Sequence, residues 1–140
     1  MATLIFNDAS VVINAVDLSN DVKSVTLNYE AESQDDTAMG DTTRSGKGGL
    51  FNWSISVEFH QDFAATQVDA TLWGIVGTSV VVVLKPTSGA VSATNPSYTG
   101  NGMLTSYTPL SGSVGDILPA TCEIVPSKGS GNSNLVRAEV

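Results

Sequence analysis

His60 and Cys122 are the only histidine and the only cysteine in the chain. A thiol-imidazole nucleophile would need both within hydrogen-bond reach of each other. The residues around them argue otherwise. His60 falls on a polar position of the alternating run Leu50 to His60, and Cys122 on an apolar position of the run Ile117 to Val125. On strands, those positions face opposite sides of a sheet. No Gly-x-Ser-x-Gly elbow is present. Asp35, Asp36 and Asp41 offer oxygen ligands at loop spacing, but no glutamate closes a twelve-residue calcium loop. Ser45-Gly46-Lys47-Gly48-Gly49 has glycines and a lysine, yet no Ser or Thr follows the lysine and no strand is expected before it, so it is not a phosphate cradle. One cysteine excludes both an intrachain disulfide and a thiolate metal cluster. The expectation is a protein that is not an enzyme, with no catalytic residue, metal or cofactor.

The elements that carry these residues are more informative. In the run Leu50 to His60, Phe51, Trp53, Ile55, Val57 and Phe59 take every odd position, and Asn52, Ser54, Ser56, Glu58 and His60 every even one. A period of two predicts a long strand with one dry and one wet face. The five odd residues are the expected centre of the core, and burying each fully contributes about 1.5–3 kcal/mol before entropy. The wet face carries a carboxylate and no Lys or Arg. Val22 to Glu30 alternates in the same way, with Val25, Leu27 and Tyr29 inward and Ser24, Thr26, Asn28 and Glu30 outward. It is the expected antiparallel partner of the first strand.

Between the two lies 31–49, acidic first and then basic and glycine-rich, too long for an ordinary hairpin turn. It reads either as a solvated mobile loop or as an arm that orders against a neighbouring subunit. Upstream, Leu4 to Phe6 and Val11 to Leu18 read as short strands, with Asn14-Ala15 as a tight turn in the second, followed by a turn at Ser19-Asn20-Asp21. Downstream, Thr66 and Asp69 have capping-box spacing. Val68, Leu72 and Ile75 or Val76 then follow at helical spacing, with Gly77 at the stop. Trp73 is expected in the core or as a lid over it. Ser79 to Lys85 reads as a strand buried on both faces. Ser97 to Thr108 is a strand whose Gly100 and Gly102 suggest a bulge or close backbone approach. Ile117 to Val125 is a strand with Ala120, Cys122 and Ile124 inward. Residues 126–140 read as a flexible Ser/Gly/Asn linker and a tail, either frayed or pairing with something beyond it.

The fold class expected is mainly β: an antiparallel β-sandwich or half-barrel with one short helix and a long inter-strand loop, in one domain over 1–125. At 140 residues the chain is long enough for a single core. Charged residues are only 14% of it, yet 14 Asp and Glu against 6 Lys and Arg leave a net charge of −8. The mean hydropathy of +0.12 with so few charges suggests that sister subunits cover part of the surface. The negative balance argues against nucleic-acid binding, which needs cations to neutralise phosphates. No basic segment followed by an apolar run opens the chain, so no signal peptide is expected. The apolar run Val80 to Leu84 is far too short to cross a bilayer.

Two stretches together resemble a known family. Asp17-Leu18-Ser19-Asn20-Asp21-Val22-Lys23-Ser24-Val25-Thr26-Leu27 resembles a strand opening of the major tail (tail tube) proteins of long, non-contractile-tailed bacteriophages. Asp36-Thr37-Ala38-Met39-Gly40-Asp41-Thr42-Thr43-Arg44, ahead of Leu50 to Phe59, resembles the loop and long strand that follow in that family. The resemblance continues through Gln61-Asp62-Phe63 and Val68 to Leu72 into Pro86-Thr87-Ser88, covering roughly residues 11–125 in order.

The resemblance implies a virion subunit, assembled in the host bacterial cytoplasm, that associates with itself into hexameric rings stacked as a tail tube. Two hairpins per subunit would line a bore, with Asn28, Glu30, Asn52, Ser54, Ser56, Glu58 and His60 facing the lumen. DNA would pass without specific binding, and no membrane would be involved. The arm 31–49 would reach an adjacent ring through Asp35, Asp36, Met39, Asp41 and Arg44. Further implied partners are the tape-measure protein, the tail terminator and the distal tail or baseplate proteins. Many family members carry an appended immunoglobulin-like domain, which this sequence lacks. A tail terminator, a decoration protein or another β-sandwich binding module is therefore the alternative.

Overall fold

Asn14 and Ala15 both have positive φ, 52° and 64°, the pair of left-handed residues that a two-residue type I′ hairpin requires. They join β1 (Ser10–Ile13) to β2 (Val16–Asp17), as the sequence predicts. The computed structural model describes residues 3–129 and 131–139. After a 3₁₀ turn at Ser19–Asp21 come β3 (Val22–Asp35) and β4 (Gly46–His60), then the helix α1 (Val68–Leu72), β5 (Ser79–Lys85), β6 (Ser97–Thr108), β7 (Pro119–Pro126) and β8 (Val136–Ala138). All eight strands belong to one antiparallel sheet in the order β2-β1-β5-β6-β7-β4-β3, with β8 paired to β6 off that path.

One sheet must bury its own inner face, and it does so by curling. Val11 and Ile13 of β1, Val80, Val82 and Leu84 of β5, Leu104 of β6, Ala120, Cys122 and Ile124 of β7, and Trp53, Ile55, Val57 and Phe59 of β4 are all buried. Val25 and Leu27 of β3 share an apolar slot with Leu84 and Tyr98, although β3 lies at one end of the strand order. Of the two architectures expected, this is the half-barrel, and it is not closed. Val68 and Leu72 of α1 are wholly buried in the same core, so the helix plugs it.

Several expectations need correction. The segment 31–49 is not one long loop: β3 and β4 continue pairing through Asp35↔Gly46, past a bulge between Ala31 and Ser33. Ten residues, 36–45, are left as the connection. Glycines and charges had masked the strands there, because the ribbon has no core face to impose alternation. Strand β5 is buried on one face only, with Val81 47% exposed; its run of valines reflects β propensity rather than a second covering layer. Trp73 is 69% exposed, so it is neither core nor lid. Gln67, not Thr66, caps α1, and no side-chain capping bond forms: the Thr66 hydroxyl donates to the Ala65 carbonyl, Asp69 N to the Asp62 carbonyl at 3.2 Å, and Asp69 Oδ1 accepts from Tyr107 Oη at 2.9 Å. Of the tail, 136–138 form a strand within this chain. β8 lies against β6, and just before it the Ser133 carbonyl accepts a 2.8 Å bond from Trp53 Nε1.

Candidate functional site

Strands β3, β4, β7 and β6 lie side by side as two hairpin-like pairs, and their outward side chains form rows. One row is Thr26, Ser56, Glu123 and Ser106; the next is Ser24, Glu58, Thr121 and Thr108. Asn28 pairs with Ser54 and Glu30 with Asn52 further along the β3–β4 ribbon. The alternation that buries Ile55 and Val57 turns these residues outward. Asn28, Glu30, Asn52, Ser54, Ser56 and His60 are exposed and Glu58 is half-buried. The face is therefore a field of hydroxyls and amides with three carboxylates, Glu30, Glu58 and Glu123. Lys23, at a bulge on the rim, approaches Glu58 at 3.3 Å; both side chains are substantially exposed, so the pair contributes little.

Among the described residues, both borders of this layer have a stretch without a strand partner. Nothing among the described strands pairs with the far edge of β3. On the other side β5 pairs with β6 only as far as Ser79↔Met103. Beyond it, only a bridge from Val76 and a 2.8 Å bond from Gly77 N reach Leu104. Thr105 to Thr108 thus present an open edge.

Phe51, expected in the core, is 66% exposed. The reason is length: β7 covers β4 only from Ile55 to His60, so the ribbon outruns the layer that would bury Phe51. It stacks instead on Tyr29, at a centroid distance of 5.4 Å and 7° between planes. Trp53, Ile55, Val57 and Phe59 are buried as expected.

The ribbon's tip is organised by its own polar groups. Asp35 accepts from Thr37 N at 2.9 Å and from Arg44 Nη1 at 2.9 Å, and Asp41 Oδ2 accepts from Ala38 N at 2.8 Å. Hydrogen bonds from Thr37, with Arg44 adding to them, hold the Asp35 carboxyl below its usual range. Asp35 and Arg44 are therefore partners within one loop. Asp36 and the fully exposed Met39 point away from the subunit's own core.

Cys122 pairs with Val57 and His60 with Pro119, on opposite faces of the sheet. Burial pushes the Cys122 thiol up to about 12. Among the described residues no group of three or more His, Cys, Asp or Glu could hold a metal ion. Sequence reasoning missed Glu123, Thr121, Ser106 and Thr108 as part of the open face. The first two were legible as the complement of the inward Ala120, Cys122 and Ile124. The bulge between Leu104 and Ser106 hid the others by breaking the alternation.

No protein-family model matches the sequence, and no curated protein matches it. Solved structures do match in shape. The tail tube of SPP1 superposes with a TM-score of 0.70 at 8% identity, over 95% of this chain and 77% of that one. The chain has the tail-tube fold. A chain from the virion of a native gene transfer agent particle gives a TM-score of 0.67 at 18% identity, over 94% and 95% of the two chains. A chain from the tail of an empty gene transfer agent particle, with C6 symmetry, gives 0.63 at 18% identity over 83% and 81%. The tail-tube fold also relates the chain, at a TM-score of 0.55 and 13% identity, to a chain of the anti-feeding prophage baseplate.

Proposed function

We propose that this chain is a structural subunit of a phage-type virion that associates with itself into rings, hexameric by analogy with its neighbours, stacked as a tail tube through which DNA is ejected. The observation that carries the reading is the open four-stranded face with an unpaired edge on either side. An exposed edge invites another strand, and joining the β3 edge of one copy to the β6 edge of the next would extend the layer around a bore. The wall of that bore would then be hydroxyls, amides and carboxylates, including Asn28, Glu30, Asn52, Ser54, Ser56, Glu58 and His60. Carboxylates repel phosphates over a Debye length of about 8 Å in physiological salt, so DNA would pass without adhering.

The β3–β4 ribbon projects past the core and fits the role of a contact to the next ring. Because its ion pair is exposed and internal, affinity there would come from Met39, Leu50 and the Tyr29–Phe51 stack rather than from charge. In this reading the tape-measure protein fills the bore before DNA does, and terminator and distal tail or baseplate proteins meet the two ends of the tube. Assembly would take place in the host cytoplasm. Negative-stain microscopy of the purified protein at high concentration tests it: rings or tubes are expected. A protein that stays monomeric at every concentration would instead favour a terminator, decoration or binding module.

A further inference from the structure

The open borders of the layer fit one another only in certain registers. Pro119, which has no N–H, lies opposite His60, and Gln61 N donates to the Leu118 carbonyl at 2.9 Å. Hydrogen-bonded and non-hydrogen-bonded pairs alternate along an antiparallel ladder. Between β4 and β7 the hydrogen-bonded pairs are therefore the core-facing ones, Ile55 with Ile124, Val57 with Cys122 and Phe59 with Ala120. A residue's N–H and C=O leave the same side of its strand, so the outward residues bond across the next ladders, Ser56 with Thr26 and Glu123 with Ser106. The groups left over at the borders belong again to residues of the core-facing phase: Val25, Leu27 and Tyr29 on β3, and Tyr107 on β6. The Leu104 carbonyl, which accepts from Gly77 N at 2.8 Å, leaves β6 on that same border.

Direction alternates across the layer, so β3 and β6 run antiparallel. Rotation about a tube axis keeps direction, and β6 of one copy therefore meets β3 of the next as an antiparallel partner. Core-facing groups must meet core-facing groups, so Tyr107 pairs with Val25, Leu27 or Tyr29 of the next copy. The first choice continues the row Thr26, Ser56, Glu123, Ser106 straight into the next Thr26; the others stagger it by two or by four residues toward the ribbon. Stagger sets tilt. Four strands about 4.8 Å apart give each copy about 19 Å of wall, against a rise of about 3.3 Å per residue. No stagger leaves the strands upright, two residues tilt them by about 19° and four by about 35°, whatever the number of copies. Barrel strands tilt by about 35–45°, which selects four. Six would set Ser106 against Glu32, inside the bulge between Ala31 and Ser33. Four in the opposite sense would carry Tyr107 to Asp21, before β3 begins.

We propose that copies join through a β6–β3 ladder staggered by four residues: Tyr107 opposite Tyr29 of the next copy, flanked by Ser106 opposite Glu30 and Thr108 opposite Asn28. The joint rests on the self-assembling reading above and gives it a register. It also accounts for Tyr29. That residue keeps the core-facing phase yet is 52% exposed, stacked only on Phe51; the joint sets it against Tyr107 of its neighbour. The outward residues at the joint, Ser106, Thr108, Asn28 and Glu30, are all exposed in the single subunit, so the open face continues from copy to copy without burying a charge.

Because the hydrogen-bonded pair at the joint is Tyr107 with Tyr29, Ser106 and Glu30 form a non-hydrogen-bonded pair, with Cα atoms about 4.5 Å apart, within disulfide range. Three double variants test the register: Ser106→Cys combined with Glu30→Cys, with Asn28→Cys or with Thr26→Cys, for staggers of four, two and none. Each is allowed to assemble, oxidised with copper–phenanthroline and run on a non-reducing gel. Within one chain the two thiols lie three strands apart, about 14 Å, too far to bridge, and the native Cys122 is buried. The Glu30→Cys combination should give a ladder of disulfide-linked multimers, at least tenfold more than either of the others. A ladder from the Asn28→Cys or Thr26→Cys combination instead overturns the stagger. Tubes with no ladder from any of the three overturn the β6–β3 joint and leave the tube reading standing. A micrograph of the unsubstituted protein without rings or tubes overturns the tube reading, and the joint with it. If the Glu30→Cys combination fails to fold, Thr108→Cys with Asn28→Cys reports the same stagger, and Thr108→Cys with Thr26→Cys is its control.

Discussion

A β-carbon on Gly100 would stand 2.8 Å from Cζ2 of Trp53. The indole lies across the backbone of β6, and Gly102, the next inward position, would bring a β-carbon to 3.2 Å from Trp53 Cη2 and into Ile124. Two glycines in a strand interior normally weaken it; here they form the slot that lets the largest side chain of β4 be buried. Gly100→Ala and Gly102→Ala should each cost about 1–3 kcal/mol through overpacking. The Gly102 change should be the worse, because Ile124 is wholly buried and has no room to yield. Urea denaturation checks both, and unchanged midpoints would contradict the packing.

Asn95 is the centre of the 86–96 loop. Its Nδ2 donates to the carbonyls of Thr87, Gly89 and Ala90, and its Oδ1 accepts from Thr87 N at 3.1 Å. It is 7% exposed, so water cannot readily replace it. Asn95→Ala should lose about 1–3 kcal/mol for each group left unsatisfied, of which at least one is buried with it. Asn95→Asp keeps the acceptor but sets a carboxylate oxygen against the carbonyls that Nδ2 met, and should be at least as destabilising as Asn95→Ala. Thermal melts of the three proteins give the ranking.

Tyr107 fixes α1 to β6. Its hydroxyl donates to Asp69 and accepts from Gln61 Nε2 at 3.0 Å. Burial is the main reason that its pKa is pushed from 10.0 up to about 12, with Asp69 adding to the effect. A raised folded-state pKa means that the neutral phenol is the form the fold favours. Its stabilisation is complete below the unfolded value near 10 and is lost as pH rises through about 12. Tyr107→Phe should cost about 0.5–1.5 kcal/mol at neutral pH. The gap between it and the unsubstituted protein should narrow from pH 10 to 12, as seen in denaturation series at fixed pH steps.

Alternation made β3 and β4 readable, because one side of each strand is core and the other is not. It also gave the inward residues of β7 and the turn at Asn14-Ala15. It failed where a strand has no core behind it. Phe51 and Tyr29 keep the inward phase but sit on a ribbon that outruns its neighbours, and sequence carries no mark of where β7 stops covering β4. The valines of β5 misled for the opposite reason, since an outward Val81 is indistinguishable in sequence from a buried one. The return of β8 to β6 was illegible, because a Gly/Ser linker states its length but not its destination. The open face was half visible, its β3 and β4 part from alternation, its β6 part hidden by the bulge at Thr105.

The tip of the ribbon should be dispensable for folding and indispensable for assembly. Its bonds run almost wholly among Asp35, Thr37, Ala38, Asp41, Arg44 and Ser45, and it adds nothing to the core. Deleting residues 35–44 should leave a folded monomer with a melting temperature within a few degrees of the parent and abolish tube growth. Full-length tubes from the deleted protein would show that the arm makes no essential contact between rings.

Glu123 offers the most direct probe of the bore. It sits mid-row between Ser56 and Ser106, exposed, and no salt bridge among the described residues involves it. Glu123→Lys should therefore change stability by no more than about 0.5 kcal/mol, and assembly should proceed. If the face lines a conduit, the substitution places a ring of cations where phosphates pass, changing the charge by two units in every copy. Tubes of the variant should then retain short double-stranded DNA at low salt and release it as salt rises, the signature of counterion release. Unsubstituted tubes should retain none at either salt. The measurement is DNA carried down with pelleted tubes. Variant tubes that bind no more DNA than the parent would mean that Glu123 looks out of the tube rather than into it. Glu58→Lys, one strand over, should behave in the same way, with a smaller effect if removing the carboxylate that Lys23 approaches disturbs the rim.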